Sequence, residues 1–381
     1  MKKLFFLLIA TACILSCTTS SSEDHTQISE VESPQPNFQL VLDSIFEQFP
    51  ESVGILAHVE CPDQGISWSG GIGASEKLGS QPIHPDQPAL IASSIKTYVS
   101  ATILRLQEEG ALYINDSISN YLSAETTDLF KSDGYDFNNI KIKHLLSHTS
   151  GIEDYANQEY IDWIDQNQTH RWTRNEQLQR AVAVGDPLGE AGDIFSYADA
   201  NYLLCTEIIE QVYGKPFYTA MRELLKYEEL GLTTTWFPTL EDQPEGSKEM
   251  VHQYWDEMNW DSYNHDISWD LYGGGGIATT TREMSEFSYH LFNGEIIEDP
   301  EVLGLMSTPL PRKDGLGENY CLGLVTSEEK GLTALGHGGF WGTVVQYFPE
   351  LNASVSVFCL NRSTRGQVNP FVMQELVTAL N

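Results

Sequence analysis

Residues 90–110 read "LIASSIKTYVSATILRLQEEG", and the fold turns on why a lysine stands at the head of this segment. Ile95, Val99, Thr102, Ile103 and Leu106 recur at i, i+4, i+7, i+8 and i+11, the stripe of a helix packed into a core. Ser93 and Lys96 lie one helical turn apart at its N-terminal end, where unpartnered backbone N–H groups and a positive field gather. A lysine partly desolvated in that field is pushed toward the neutral amine, which could take a serine's proton. The alternative is a capping serine and a lysine that reaches out to solvent. The spacing alone decides nothing: Ser327 and Lys330 repeat it in a charged turn, where the lysine stays solvated.

Outward from this helix, the chain ends look like strands. "SVGILAHVEC" and "GISWSGGIG" near the start predict two strands joined by the turn "PDQG". "CLGLVT", "TALGHGG", "GTVVQYFPE" and "ASVSVFCLN" near the end predict four more, closed by a helix over "PFVMQELVTAL". Between them lie helical stretches such as "IKHLLSH" and "NYLLCTEIIEQVYG", the latter stopped at Gly214. The expected class is α+β, or α/β in looser usage: an antiparallel sheet built from both chain ends with flanking helices and an inserted, mostly helical region.

The first residues stand apart. Lys2 and Lys3 precede the apolar run Leu4–Ala12, and "ILSC" ends at Cys17. Residues 1–16 resemble a bacterial lipoprotein signal, which implies export, cleavage and a lipid on Cys17 that holds the protein to the cell envelope. Residues 17–37 are polar, acidic and proline-containing, a composition that predicts a disordered tether. The folded domain is expected over 38–381, long enough for one large core.

Lys and Arg number 21 against 54 Asp and Glu, a formal charge of −33. That charge excludes nucleic acid as a partner, whose binding needs cations to neutralise phosphates. Cys61, Cys205, Cys321 and Cys359 show no CxxC spacing, so neither a zinc cluster nor a disulfide framework follows.

Five ordered blocks, "SSIK", "IKIKHLLSHTSGIEDY", "FSYADANYLLCTEIIEQVYGKPF", "GGGGIATTTREMSEF" and "GHGGFWGTVVQYFPE", together resemble the serine β-lactamase and D-alanyl-D-alanine carboxypeptidase superfamily. They are most similar to its branch of class C β-lactamases, carboxypeptidases and esterases. The resemblance implies Ser93 as nucleophile, Lys96 as its partner, and Tyr197 in the second element, chosen over the literal Tyr155-Ala156-Asn157 for its block context. Asp199 then stands where the family has asparagine, an acceptor in place of amide donors, and could pair with Lys96 and return it to the ammonium form. The resemblance leaves the general base open between Lys96 and Tyr197. His337, Gly338 and Gly339 form the third element, where substrate adds to the strand backbone, and the Phe340 N–H would join that of Ser93 in an oxyanion hole. Histidine there makes carboxylate recognition depend on its charge, with Lys96, His337 or Arg282 as the local cations.

The implied chemistry is acyl-enzyme hydrolysis of a D-Ala-D-Ala-like peptide or related amide, with a small ester or a β-lactam as alternatives, and without metal or cofactor. A non-catalytic envelope-binding protein is the contrasting expectation. His144 and His148, at i and i+4, have metal-pair spacing, but Leu145 occupies the glutamate position of a zinc peptidase, and His148 reads better as a hydrogen-bonding member of the "HTSG" turn. Residues 249–271 supply either an aromatic wall over the cleft or a self-packed surface loop. Gly273–Gly276 lacks phosphate-loop spacing and reads as close chain approach. Oligomeric state is left open.

Overall fold

Alternate residues of the strand Gly54–Cys61 (β1) enter different cores. Ile55, Ala57 and Val59 join one apolar cluster with Val368 and Val372, while Leu56 joins another with Phe287 and Phe358. A strand buried on both faces needs a layer on each. Phe38–Gln48 (α1) and the C-terminal helix cover one face, and Thr281–Phe292 covers the other. The computed structural model describes residues 37–79 and 81–381; the signal, Cys17 and all but the last residue of the tether lie outside them.

The six-stranded sheet is antiparallel throughout. Ile66–Gly73 (β2) pairs with β1, and β1 pairs with Ala353–Cys359. Numbering the C-terminal strands Val325–Glu329 (β3), Leu332–Gly338 (β4), Thr343–Phe348 (β5) and Ala353–Cys359 (β6), the order is β2-β1-β6-β5-β4-β3. Both chain ends therefore build one sheet, and the region between them is mostly helical. The motif helix, Ile95–Glu108 (α2), runs through the larger core with Ile95, Val99, Ile103 and Leu106 buried.

Two boundaries differ from the sequence reading. Cys321–Leu324 is a turn, closed by the Cys321 N–H on Leu324 O at 2.8 Å, and not the start of a strand. Its backbone is held by α2 instead: Thr97 Oγ1 donates to Gly323 O at 2.8 Å. The last helix starts at Arg365, five residues before Pro370, which sits inside it. All four cysteines of the described region are buried free thiols.

Candidate active site

Ser93 sits in a single 3-10 turn, Ala92–Ser94, that leads into α2. Ala92 holds φ at +46°, a left-handed conformation that costs a non-glycine residue about 1–2 kcal/mol. The surroundings fix that kink: Thr343 Oγ1 donates to Ile91 O at 3.0 Å, and Ser94 Oγ to His337 O at 3.2 Å. The serine turn is thus clamped to the end of β4.

Lys96 is fully buried, so it neither reaches solvent nor stands free. Its three N–H groups meet three acceptors: Asp199 Oδ1 at 2.7 Å, Ser93 Oγ at 3.3 Å and Gly274 O at 3.3 Å. Burial pulls its pKa down, but Asp199 and then Tyr197 outweigh burial and the net shift is upward. Lys96 is an ammonium at rest. Of the two charge states left open above, the ammonium prevails because the side chain ends on a carboxylate 103 residues away, and a direct ion pair exceeds the field of a helix end.

Tyr197 and Asp199 come from the irregular segment that enters Ala200–Tyr213 (α3). Asp199 holds the N-cap position of α3, yet its side chain does not cap the helix; it turns to Lys96. The Tyr197 ring lies against His148, centroids 4.0 Å apart, with Lys96 Nζ 5.0 Å from the ring centre. Burial pushes the phenol up to about 12, only partly offset by Lys96. Tyr197 is therefore protonated beside a protonated lysine.

Behind it runs a directional chain of hydrogen bonds. His148 Nδ1 accepts from the Ala198 N–H at 3.2 Å, which places its proton on Nε2, 3.2 Å from Tyr320 Oη. Tyr320 then donates to His337 Nε2 at 3.1 Å, and His337 Nδ1 donates to Gly338 O at 2.7 Å. Burial first, then the charge of Lys96, pushes His337 down to about 4. It is neutral near pH 7 and is not a carboxylate-binding cation.

At the end of β4 the sheet opens. β3 pairs with β4 only as far as Gly336, so among the described residues no strand pairs with His337 and Gly338 on that side. Gly339 is obligatory, since a Cβ there would meet Ile91 O at 2.1 Å. Among the described residues, the Ser93 and Phe340 N–H groups donate to no intramolecular acceptor. Arg365 donates to Gly339 O and, at 2.8 Å, to Phe340 O; Arg362 donates to Phe340 O at 3.1 Å. The two arginines fix the peptides around Phe340 and have no carboxylate partner among the described residues. A cavity of about 770 Å³ joins Ser93, Tyr197, Asp199 and the 337–340 strand end to both arginines.

Residues 42–372 match the family model for beta-lactamase. The chain belongs to the beta-lactamase family. A penicillin-binding protein of Bacillus subtilis is 22% identical over 315 residues, 79% of this chain and 66% of that protein. The chain spans 46% and 32% of two further curated relatives. Among solved structures, the D-amino acid amidase of Ochrobactrum anthropi has a TM-score of 0.75 at 19% identity, covering 90% of this chain and 98% of that one. The D-stereospecific amidohydrolase of a Streptomyces species has a TM-score of 0.70 at 22% identity, with 86% and 96% covered. These likenesses establish the beta-lactamase fold.

Within this beta-lactamase family member, the structure brings Ser93, Lys96, Tyr197, Asp199, His337, Gly338, Gly339 and Phe340 to one seam. Tyr155 is 1% exposed in the core against Tyr160. Arg282 lies on Thr281–Phe292, paired with Glu286, and does not line the cavity; Arg362 and Arg365 do. Trp255 and Trp269 face the cavity, while Trp260 is buried beneath them, so the 249–271 segment is both wall and self-packed loop. His144 and His148 share no helical face: the short helix ends at Leu146 and His148 has φ +54°. Sequence reasoning also missed Asp154, Asp270 and Tyr320, for which no local motif gives a signal.

Proposed function

We propose that this chain is an exported, lipid-anchored serine amidohydrolase that acts through an acyl-enzyme on Ser93, on D-Ala-D-Ala-like peptides or related amides. The observation that carries it is Ser93 Oγ, 3.3 Å from Lys96 Nζ and beside Tyr197, with two undonated N–H groups at the mouth of an open cavity. Amide substrates are also what the amidase and amidohydrolase of similar fold are named for.

In the mechanism, Ser93 Oγ bonds to the carbonyl carbon and the oxyanion rests on the Ser93 and Phe340 N–H groups. The serine proton passes to the Lys96–Tyr197 pair in its singly deprotonated form and then to the leaving amine as the C–N bond breaks. Water, activated by the same pair, hydrolyses the ester, releases the acid and restores Ser93. Arg362 and Arg365 supply the positive end of the cleft for a substrate carboxylate. Because the resting pair is doubly protonated, turnover is expected to rise with pH.

The test is intact mass of the detergent-solubilised full chain after exposure to a fluorophosphonate and, separately, a fluorescent penicillin. One adduct per chain that disappears in Ser93→Ala is expected. A lifetime of hours marks a peptidase and seconds a lactamase. A folded protein that takes neither probe is not a serine hydrolase, and the envelope-binding alternative then holds.

The leader and Cys17 support export and lipid anchoring. Cys17→Ser is expected to move the protein from the membrane fraction to the soluble one; retention in the membrane fraction would count against the anchor.

A further inference from the structure

Three carboxylates line the cavity that holds Ser93: Asp154, Asp199 and Asp270. Only Asp199 is paired, with Lys96. Asp154 Oδ1 accepts from the N–H groups of Ala156 and Asp199, each at 3.1 Å, and its second oxygen has no donor among the described residues. Asp270 is 7% exposed, yet neither of its oxygens has a hydrogen-bond donor there. A buried carboxylate without donors is costly, and this one lines the cavity.

Its position relative to the chemistry follows from two glycines. A Cβ on Gly275 would lie 2.0 Å from Asp270 Oδ2, and one on Gly274 would lie 3.0 Å from Asp270 Oδ1 and 3.5 Å from Asp199 Cγ. Gly274 O in turn accepts from Lys96, which donates to Ser93 Oγ. One peptide unit therefore separates the unpaired carboxylate from the lysine that touches the nucleophile. Asp270 and Ser93 line the same cavity, so one ligand can meet both.

The rest of the cleft agrees. Its cations, Arg362 and Arg365, stand at the β4–β5 turn, and the chain's charge of −33 draws cationic ligands and slows anionic ones. The cleft is thus charged at both ends, acidic beside Lys96 and basic beside Phe340, with Trp255 and Trp269 in its wall.

Building on Ser93 as nucleophile, we propose that Asp270, with Asp154 beside it, binds the free α-ammonium of the residue whose carbonyl Ser93 attacks. The substrate is then an N-terminally unblocked amino acid amide or short peptide, and not the acylated end of a longer one. A charge-assisted bond to an ammonium gives each carboxylate the donor it lacks.

The test uses the full chain in detergent with Ser93→Ala, so that binding is read without turnover. D-alanyl-D-alanine and N-acetyl-D-alanyl-D-alanine are titrated by calorimetry. The free amine is expected to bind about tenfold more tightly or better, and Asp270→Asn in the same background to remove most of that preference. Equal affinities, tighter binding of the acetylated dipeptide, binding of neither at millimolar concentration, or a preference that survives Asp270→Asn would each overturn the proposal. If Asp270→Asn does not fold, Asp154→Asn takes its place under the same criterion. Failure of the hydrolase reading is separate, since that is scored by the covalent adduct on wild-type protein.

Discussion

Lys96→Ala is expected to lower kcat/KM by about three orders of magnitude and to destabilise the fold at neutral pH by about 3–5 kcal/mol. The activity loss follows from its contacts: among the described residues, no other side chain donates to both Ser93 and Asp199. The stability loss follows from what remains. Asp154, Asp199 and Asp270 would line one cavity without the lysine whose charge now offsets theirs, and like charges so close cannot all stay ionised. Asp154 is already pushed up to about 7 by burial and then by Asp199, and Asp270 is raised for the same two reasons; the charge of Lys96 lowers both.

The sign of the pH dependence follows. A carboxyl whose folded pKa lies above its unfolded value stabilises the fold below the unfolded value, near 4, and that contribution fades as pH rises through the folded value. Without Lys96 both carboxyls move further up, so the deficit of the variant against wild type is expected to be small at pH 5 and large at pH 8. Thermal melts at the two pH values measure it. A deficit independent of pH would mean that Lys96 matters for packing and not for holding the carboxylates.

The same cluster shows where reading the sequence succeeds and where it stops. The sheet was legible because the strands at both chain ends carry short β-rich runs bounded by Gly and Pro, and antiparallel neighbours follow from short connections. The Asp199–Lys96 pair was legible as an option, since an aspartate in place of asparagine changes a donor into an acceptor. The choice between the two charge states of Lys96 was not, because local reasoning sees the helix end beside the lysine but cannot set it against a carboxylate whose distance only the packing of α3 fixes. Arg362 and Arg365 escaped notice because they follow the last strand with no motif of their own; only the crossing of the sheet brings them over the β4–β5 turn. Tyr320 likewise joins His148 to His337 across long sequence distances. Long-range charge, more than secondary structure, was what the sequence withheld.

Asp199→Asn is expected to make the protein less stable and, near neutral pH, more active. Asp199 raises the pKa of both Lys96 and Tyr197, so its negative charge holds the pair in the doubly protonated form that cannot accept the serine proton. The amide keeps an acceptor for Lys96 but no charge. Both groups then lose a proton more readily, and the acidic limb of the kcat/KM profile moves to lower pH, with a gain of about tenfold at pH 7. Stability moves the other way. Lys96 has a folded pKa above its unfolded value, so its pairing stabilises the fold at neutral pH and is lost as pH rises beyond about 10; removing the charge costs about 3 kcal/mol at about pH 7, read as a lower Tm. A pH profile that does not move would show that the Lys96–Tyr197 pair is not the base. Activity lost together with stability would make Asp199 itself part of the proton path. The expected outcome, faster and weaker together, identifies this aspartate as a residue that trades turnover for a paired, buried charge.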